Sequence, residues 1–257
     1  MYLLEQMLRK KKSLAIFCLS LAVVCSTTAN AAFVQHAPVL GVAPSANTNS
    51  KTTPTSAAVL IGEPNLGGSQ DYLSVFDATG MNHAGSIATS AIAESTKLTV
   101  PLTTMKPGWY AAHWNVQSED GHMAGGDDGS WWAFGVKAVS PSAKTVKIKL
   151  RASVPVEPLP SSLMVSLNGR RTGMRTLTAS MANARVTSFR FIRNNESPES
   201  LRGASFSWPV SYNKKTKLYS ATGIIPFAGL YTLTAQITSI NTGVTRTALW
   251  SGDIEIN

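Results

Sequence analysis

Cysteine is nearly missing from this chain: of 257 residues, only Cys18 and Cys25 carry a thiol. Both fall in the first 31 residues. There Arg9, Lys10, Lys11 and Lys12 precede an uncharged, mostly apolar run from Ser13 to Cys25, and Ala29–Asn30–Ala31 supplies a small-x-small pattern. That order predicts a secretory signal peptide over residues 1–31, too short and wrongly flanked for a lasting membrane span. Val24 stands where a lipidation signal before Cys25 needs a small residue, so no lipid anchor is expected. The exported protein then has no thiol. That excludes disulfides, zinc fingers, iron–sulfur clusters, blue-copper sites and cysteine nucleophiles together.

Long apolar runs are also lacking. After residue 31 no stretch approaches the roughly 18 uninterrupted apolar residues that a spanning helix requires. Acid is scarce: 14 Asp and Glu stand against 23 Lys and Arg, for a formal charge of +9. Setting aside the four cations and one Glu of the leader leaves +6. These cations are scattered, with Arg170–Arg171 and Lys214–Lys215 the only adjacent pairs after the leader. Without a basic stripe and interleaved aromatics, nucleic acid is not an expected partner.

Sustained helical periodicity is absent too. Short runs rich in Val, Ile, Thr, Tyr and Trp alternate instead with Gly, Pro, Asn and Ser. The pattern predicts strands at 57–62, 72–77, 97–101, 109–117 and 130–136, then at 145–153, 162–167, 185–193, 204–212, 217–225, 229–239 and 245–255. Many short strands at this spacing point to sandwiches or barrels. The expected fold is all-β: two consecutive β-sandwich domains, immunoglobulin-like or cupredoxin-like Greek keys, after the signal peptide. The polar segment 137–144, "KAVSPSAK", is the expected linker between a first domain at 32–136 and a second at 145–257. Residues 43–56, "APSANTNSKTTPTS", read either as a further linker or as a long surface loop of the first domain.

Histidine is rare and unevenly spread. His36, His83, His113 and His122 all precede the expected boundary, and residues 145–257 hold neither His nor Cys. In "VQSEDGHMAGGDDGSWWAFGV", residues 116–136, Asp120 and His122 flank one glycine, so carboxylate and imidazole could share one ion of the Cu(II) or Zn(II) type. His113 lies in "YAAHW"; alternation puts Tyr110, Ala112 and Trp114 on one face and His113 on the other, facing solvent or a sheet edge. His83, in "ATGMNHAGS", reads as part of a turn between strands. The second half shows no carboxylate pairing suited to catalysis and no G-x-S-x-G elbow. Its expected role is that of an interaction or spacer module.

The stretch "LTTMKPGWYAAHWNVQSEDGHMAGGDDGSWWAFGV" resembles the most characteristic block of the CopC-type copper-binding proteins of the bacterial periplasm. Gly108, Tyr110 and Trp114 match a G-x-Y-x-V-x-W strand, with Ala112 in the Val position. Ser118–His122 match S-x-D-G-H, and Gly129–Trp131 through Val136 match the aromatic strand that follows. Upstream, "HAPVLGVAP" resembles the start of the family's mature chain, and "AVLIGEPN" and "YLSVFDATGM" its next two strands. The resemblance covers roughly residues 36–136.

The resemblance implies a Cu(II) site made by His36, through ring and amine, with Asp120 and His122; His83 and His113 are the secondary candidates. It further implies a periplasmic or secreted protein acting in copper storage, transfer or tolerance, with an envelope or membrane copper-transport protein as a partner, and not an enzyme. The alternatives are an envelope structural or interaction protein whose CopC-like fold has lost tight copper binding, and a histidine-brace oxidative copper enzyme. Three features depart from the family. Cleavage after Ala31 or Ala32 would leave residues ahead of His36, so its amine would sit in a peptide bond. The methionines are scattered, so no dedicated Cu(I) site is expected. "MAGGDDGS" is longer than the usual link and adds Asp127 and Asp128.

Overall fold

A computed structural model of the protein describes residues 38–63, 68, 70–117, 123–125, 130–154, 159–240 and 246–257. The signal peptide expected over residues 1–31 lies outside the described residues. Alternation sets the strands: in Val146–Ala152, Ile148 and Leu150 are buried while Lys147, Lys149 and Arg151 face outward.

The first strands are β1 (Val39–Ala43), β2 (Asn49–Ser50), β3 (Ser56–Ile61), β4 (Tyr72–Phe76), β5 (Ala88–Ile92), β6 (Ser95–Pro101), β7 (Gly108–Asn115) and β8 (Ser130–Val136). They form two four-stranded sheets, ordered β1-β3-β6-β5 and β2-β8-β7-β4. The inward residues of both sheets share one core. Val59 and Ile61 of β3 and Leu98 and Val100 of β6 join Val75 of β4, Tyr110 and Trp114 of β7 and Phe134 of β8. Two sheets facing across such a core make a β-sandwich. The segment 43–56 is a surface loop strapped to it, since Asn49 and Ser50 pair in parallel with Gly135 and Val136. The Asn47 N–H also donates to the Ala133 carbonyl.

The later strands are β9 (Val146–Ala152), β10 (Ser162–Leu167), β11 (Gly173–Ala179), β12 (Ala184–Arg193), β13 (Ser205–Asn213), β14 (Leu218–Ile225), β15 (Gly229–Ser239) and β16 (Thr247–Ile256). The all-β class expected from the residues therefore holds throughout. In this half the pairing order β10-β11-β14-β13-β12-β15-β16-β9 returns to its start, so the strands form a closed barrel instead of two facing sheets. Strand β11 is what joins β10 to β14, and sequence patterning missed it. Its inward positions are Gly173, Arg175, Leu177 and Ala179, of which only Leu177 is a large apolar residue. Arg175 is tolerated inside because its guanidinium donates to the carbonyls of Arg171, Pro141 and Thr172. Phe189, Phe191, Trp208, Tyr231 and Trp250 fill the interior.

Ala37–Asn257 form one compact unit. Ala111 and Ala133, on the outer face of the β7–β8 pair, belong to the barrel's apolar cluster, with Phe76, Trp109 and Trp131 packed against it. Between β8 and β9 there is no strand, yet the segment is held at both ends. The Asn49 side chain bonds both backbone groups of Ala138, and Ser140 Oγ accepts from the Met174 N–H. No helix among the described residues is long and apolar enough to cross a membrane. The barrel strands carry apolar residues inward and polar ones outward, the reverse of strands that face lipid.

Candidate metal centre

Strand β7 carries the chain to the D-G-H segment, and the structure describes how that segment is held at its base. Asn115 is buried, and its Oδ1 accepts from the N–H groups of Val116 (3.0 Å) and Gly125 (2.8 Å). The Ala124 N–H donates to the Val116 carbonyl, and Gln117 forms a bridge with Met123. The chain thus leaves at Gln117 and is back, paired, by Met123. Asp120 and His122 fall between those two residues and lie outside the described residues, as do Asp127 and Asp128.

The start of the first sheet reaches the same end of the sandwich. Val39 pairs with Ile61, the last residue of β3, and the Gly62 N–H donates to the Pro38 carbonyl. His36, two residues earlier, lies outside the described residues. From Gly62 the chain crosses to Tyr72, which opens β4 opposite Asn115, the last residue of β7. Asp71 fastens this crossing to the D-G-H base. Its Oδ1 accepts from the Gln117 N–H and its Oδ2 from the Gly68 N–H, both at 2.9 Å. A methyl group on Gly68 would collide with the Gln117 side chain, so the loop lies directly on that base. Nothing in the sequence marked Asp71, because the Gln117 N–H that it accepts from is remote along the chain.

His83 and His113 are described, and they stand on opposite faces of the β2-β8-β7-β4 sheet. His83 is 5% exposed, with its ring edge-on to Tyr110 on the core side. Its Nε2 lies 3.0 Å from Asp77 Oδ2 and its Nδ1 3.3 Å from Thr103 Oγ1. A carboxylate only accepts, so Nε2 carries the proton and Nδ1 faces the hydroxyl. The turn expected at this position is a buried polar network. His113 shares the outer face with Ala111; it is half-buried, not facing open solvent. Its ring stacks on Trp131 at 3.9 Å, and its Nε2 lies 3.0 Å from the Tyr72 hydroxyl. The outer face is covered because the barrel packs on it, a contact that strand alternation alone cannot reveal. With the sheet between them, these two rings do not converge on one ion. Among the described residues no group of three or more His, Cys, Asp or Glu is gathered closely enough to hold a metal.

Asp77 gives this network a pH signature. Burial alone would raise its carboxyl, but hydrogen bonds from the Thr79 hydroxyl, His83 and the N–H groups of Thr79 and Met81 hold it below the usual carboxylate value. A carboxyl depressed in the folded state adds stability above its unfolded pKa of about 3.9 and loses it as pH falls through the lower folded value. Asp77→Asn should therefore cost about 1–2 kcal/mol near neutrality. That gap to the parent should be level above about pH 5 and narrow below about pH 4. Urea midpoints measured across pH 2.5–7 check this, and a gap that widens in acid would contradict it.

A family model described as CopC domain matches residues 39–129. A solved structure that matches is the crystal structure of CopC from Methylosinus trichosporium OB3b. It is 20% identical, with 41% of this chain and 98% of that chain covered and a TM-score of 0.34. No curated protein matches. Residues 39–129 thus carry a CopC-type domain, in the part of the chain where the residues themselves resemble that family.

Proposed function

We propose that this is an exported, periplasmic copper-binding protein that holds Cu(II) with His36, Asp120 and His122 and acts in copper storage, transfer or tolerance. One observation carries the reading. The chain entering at Pro38 and the excursion between Gln117 and Met123 emerge at one end of the sandwich, where Pro38 is bonded to Gly62 and Asp71 fastens Gln117 to Gly68. The CopC-domain match over residues 39–129 supports it. Imidazole and carboxylate donors suit Cu(II), and the absence of thiols after residue 31 leaves these as the strong ligands present. A membrane or envelope copper-transport protein is the partner this role requires.

The test is a Cu(II) titration with electron paramagnetic resonance on protein from an exporting host, its terminus fixed by intact mass. One tight equivalent with nitrogen couplings is expected. His122→Ala should lose more than the roughly 10–100-fold that an outer partner of a ligand contributes. His113→Ala, whose ring is paired to Tyr72 and stacked on Trp131, should stay within about threefold. Equal behaviour of the two variants would overturn the ligand set. A second reading, an envelope interaction protein without tight copper, is favoured by the residues that signal cleavage would leave ahead of His36; only weak, adventitious copper would select it. Copper-dependent turnover with peroxide and a reductant would instead point to a histidine-brace enzyme.

A further inference from the structure

The ladder of the barrel is interrupted between β12 and β13. Strands β12 and β13 pair from Ile192↔Ser205 to Ser188↔Pro209 and no further. Pro209 has no N–H to give to a following rung, so the ladder stops there. Beyond it the strands part. Val210–Asn213 continue against β14 and Ala184–Val186 against β15, with a bulge in β12 between Val186 and Ser188. The gap is a cavity of about 600 Å³ at this end of the barrel. That lies in the size range of small-molecule sites, which often occupy barrel mouths.

Its chemistry is one-sided. Arg185 and Lys217 both line it, and the side chain of neither has an ion-pair or hydrogen-bond partner among the described residues. The described barrel carboxylates are distant along the strands. Glu196 and Glu199 sit in the β12–β13 connection at the opposite end, and Asp253 and Glu255 lie near the far end of β16. Tyr212 and Tyr219 face each other with ring centroids 4.7 Å apart and planes at 37°. Tyr219 is buried, its hydroxyl donating to the Ala184 carbonyl at 2.8 Å, so it forms a fixed floor. Tyr212 is 49% exposed and offers ring surface to the opening. Val210 and Ile240 add apolar lining. Two unpartnered cations beside an open aromatic ring match an anion that carries a flat body.

We propose that this mouth is a binding site for a small anion bearing a ring, a carboxylate or phosphate paired with Arg185 and Lys217 and the ring lying against Tyr212. The site is separate from the copper reading, so the two stand or fall independently.

The probes are phenyl phosphate and benzoate, titrated into the intact protein in chelator and followed by amide NMR shifts, with inorganic phosphate and benzyl alcohol as controls. At least one aromatic anion should saturate with a Kd at or below about 1 mM, a modest affinity for so open a site, moving residues 180–186 and 210–219. Which one binds identifies the anionic group. The double variant Arg185→Gln/Lys217→Gln should weaken it about tenfold or more. Tyr212→Ala should weaken it about threefold to tenfold. Lys214→Gln/Lys215→Gln, in the adjoining turn, should leave it unchanged. The four cationic side chains are exposed, so unfolding midpoints of the Gln variants should stay at the parent value, while that of Tyr212→Ala should fall modestly with the loss of its Tyr219 contact. The proposal is overturned by no saturable shift at the mouth with either aromatic anion. Inorganic phosphate or benzyl alcohol binding as well as both would also overturn it, as would equal loss in the Lys214/Lys215 control, which means diffuse attraction.

Discussion

Asp71→Ala should weaken Cu(II) binding by about 10–100-fold, the usual loss when an outer partner of a metal site is removed, although Asp71 is not among the proposed ligands. The reason is positional. Asp71 uses one carboxylate oxygen for the Gln117 N–H and the other for the Gly68 N–H. It therefore holds the base of the D-G-H excursion to the loop that leads back to the sheet edge where the chain enters. Without it, two backbone donors lose their acceptor and the excursion loses its anchor on that side. The ligands are still present but no longer pre-set, so each binding event must supply the ordering. Asp71→Asn should fall between parent and Ala, since an amide oxygen can serve one of the two N–H groups and its NH₂ cannot serve the other. Titration of all three proteins at fixed pH checks the order. Nitrogen couplings should persist in the variants, because the same imidazoles bind. Unchanged affinity in a folded Asp71→Ala would show that the excursion is held by other means.

Trp250→Ala should cost about 3–5 kcal/mol, the range for deleting a fully buried large aromatic side chain. Trp250 has no exposed surface. It also stands at a short seam of the ring: among the described residues β16 and β9 pair at Trp250↔Ala152 and Ser251↔Arg151, whereas β15 and β16 pair from Gly229↔Ile256 to Thr238↔Thr247. Across this short seam the indole N–H donates to the Pro160 carbonyl at 2.9 Å, tying the connection after β9 to β16. Removing the side chain opens a cavity and releases that tie where few ladder bonds compensate. Trp250→Phe keeps most of the volume and should cost about 1–2 kcal/mol, the share of the hydrogen bond and its unmet acceptor. Denaturant midpoints measure both. A loss below about 1 kcal/mol for the alanine variant would mean that the seam collapses around the vacancy.

Both predictions depend on contacts that differ in how far the chain itself announces them. Trp250 was legible as a core residue: it lies in an alternating run that could only be an inward strand position. Asp71 was not, because a carboxylate that accepts from one nearby and one remote backbone N–H leaves no periodic trace. Among the strands, β3, β4, β7 and β8 were readable because β-branched and aromatic residues alternate in them. Strand β5, "ATSAI", was not, being exposed throughout and made mostly of small residues. The D-G-H pattern, in its strand context, carried the resemblance to the CopC-type proteins, since both the spacing of Asp and His and the flanking aromatic strands are local.

What the sequence by itself determined was the all-β class, the division of histidine into one half, the confinement of cysteine to the first 31 residues and the CopC-like block. Each of these follows from composition or from residues close in the chain. Tertiary structure decided the rest. It turned a second run of strands into a closed barrel through β11, whose buried Arg175 breaks the apolar pattern. It stacked His113 on Trp131 beside Tyr72 and enclosed His83 in a hydrogen-bonded network. It also brought Pro38 and Gln117 to one end of the sandwich. Pairing between distant strands sets all of these, and no local pattern encodes which strand a given edge will meet.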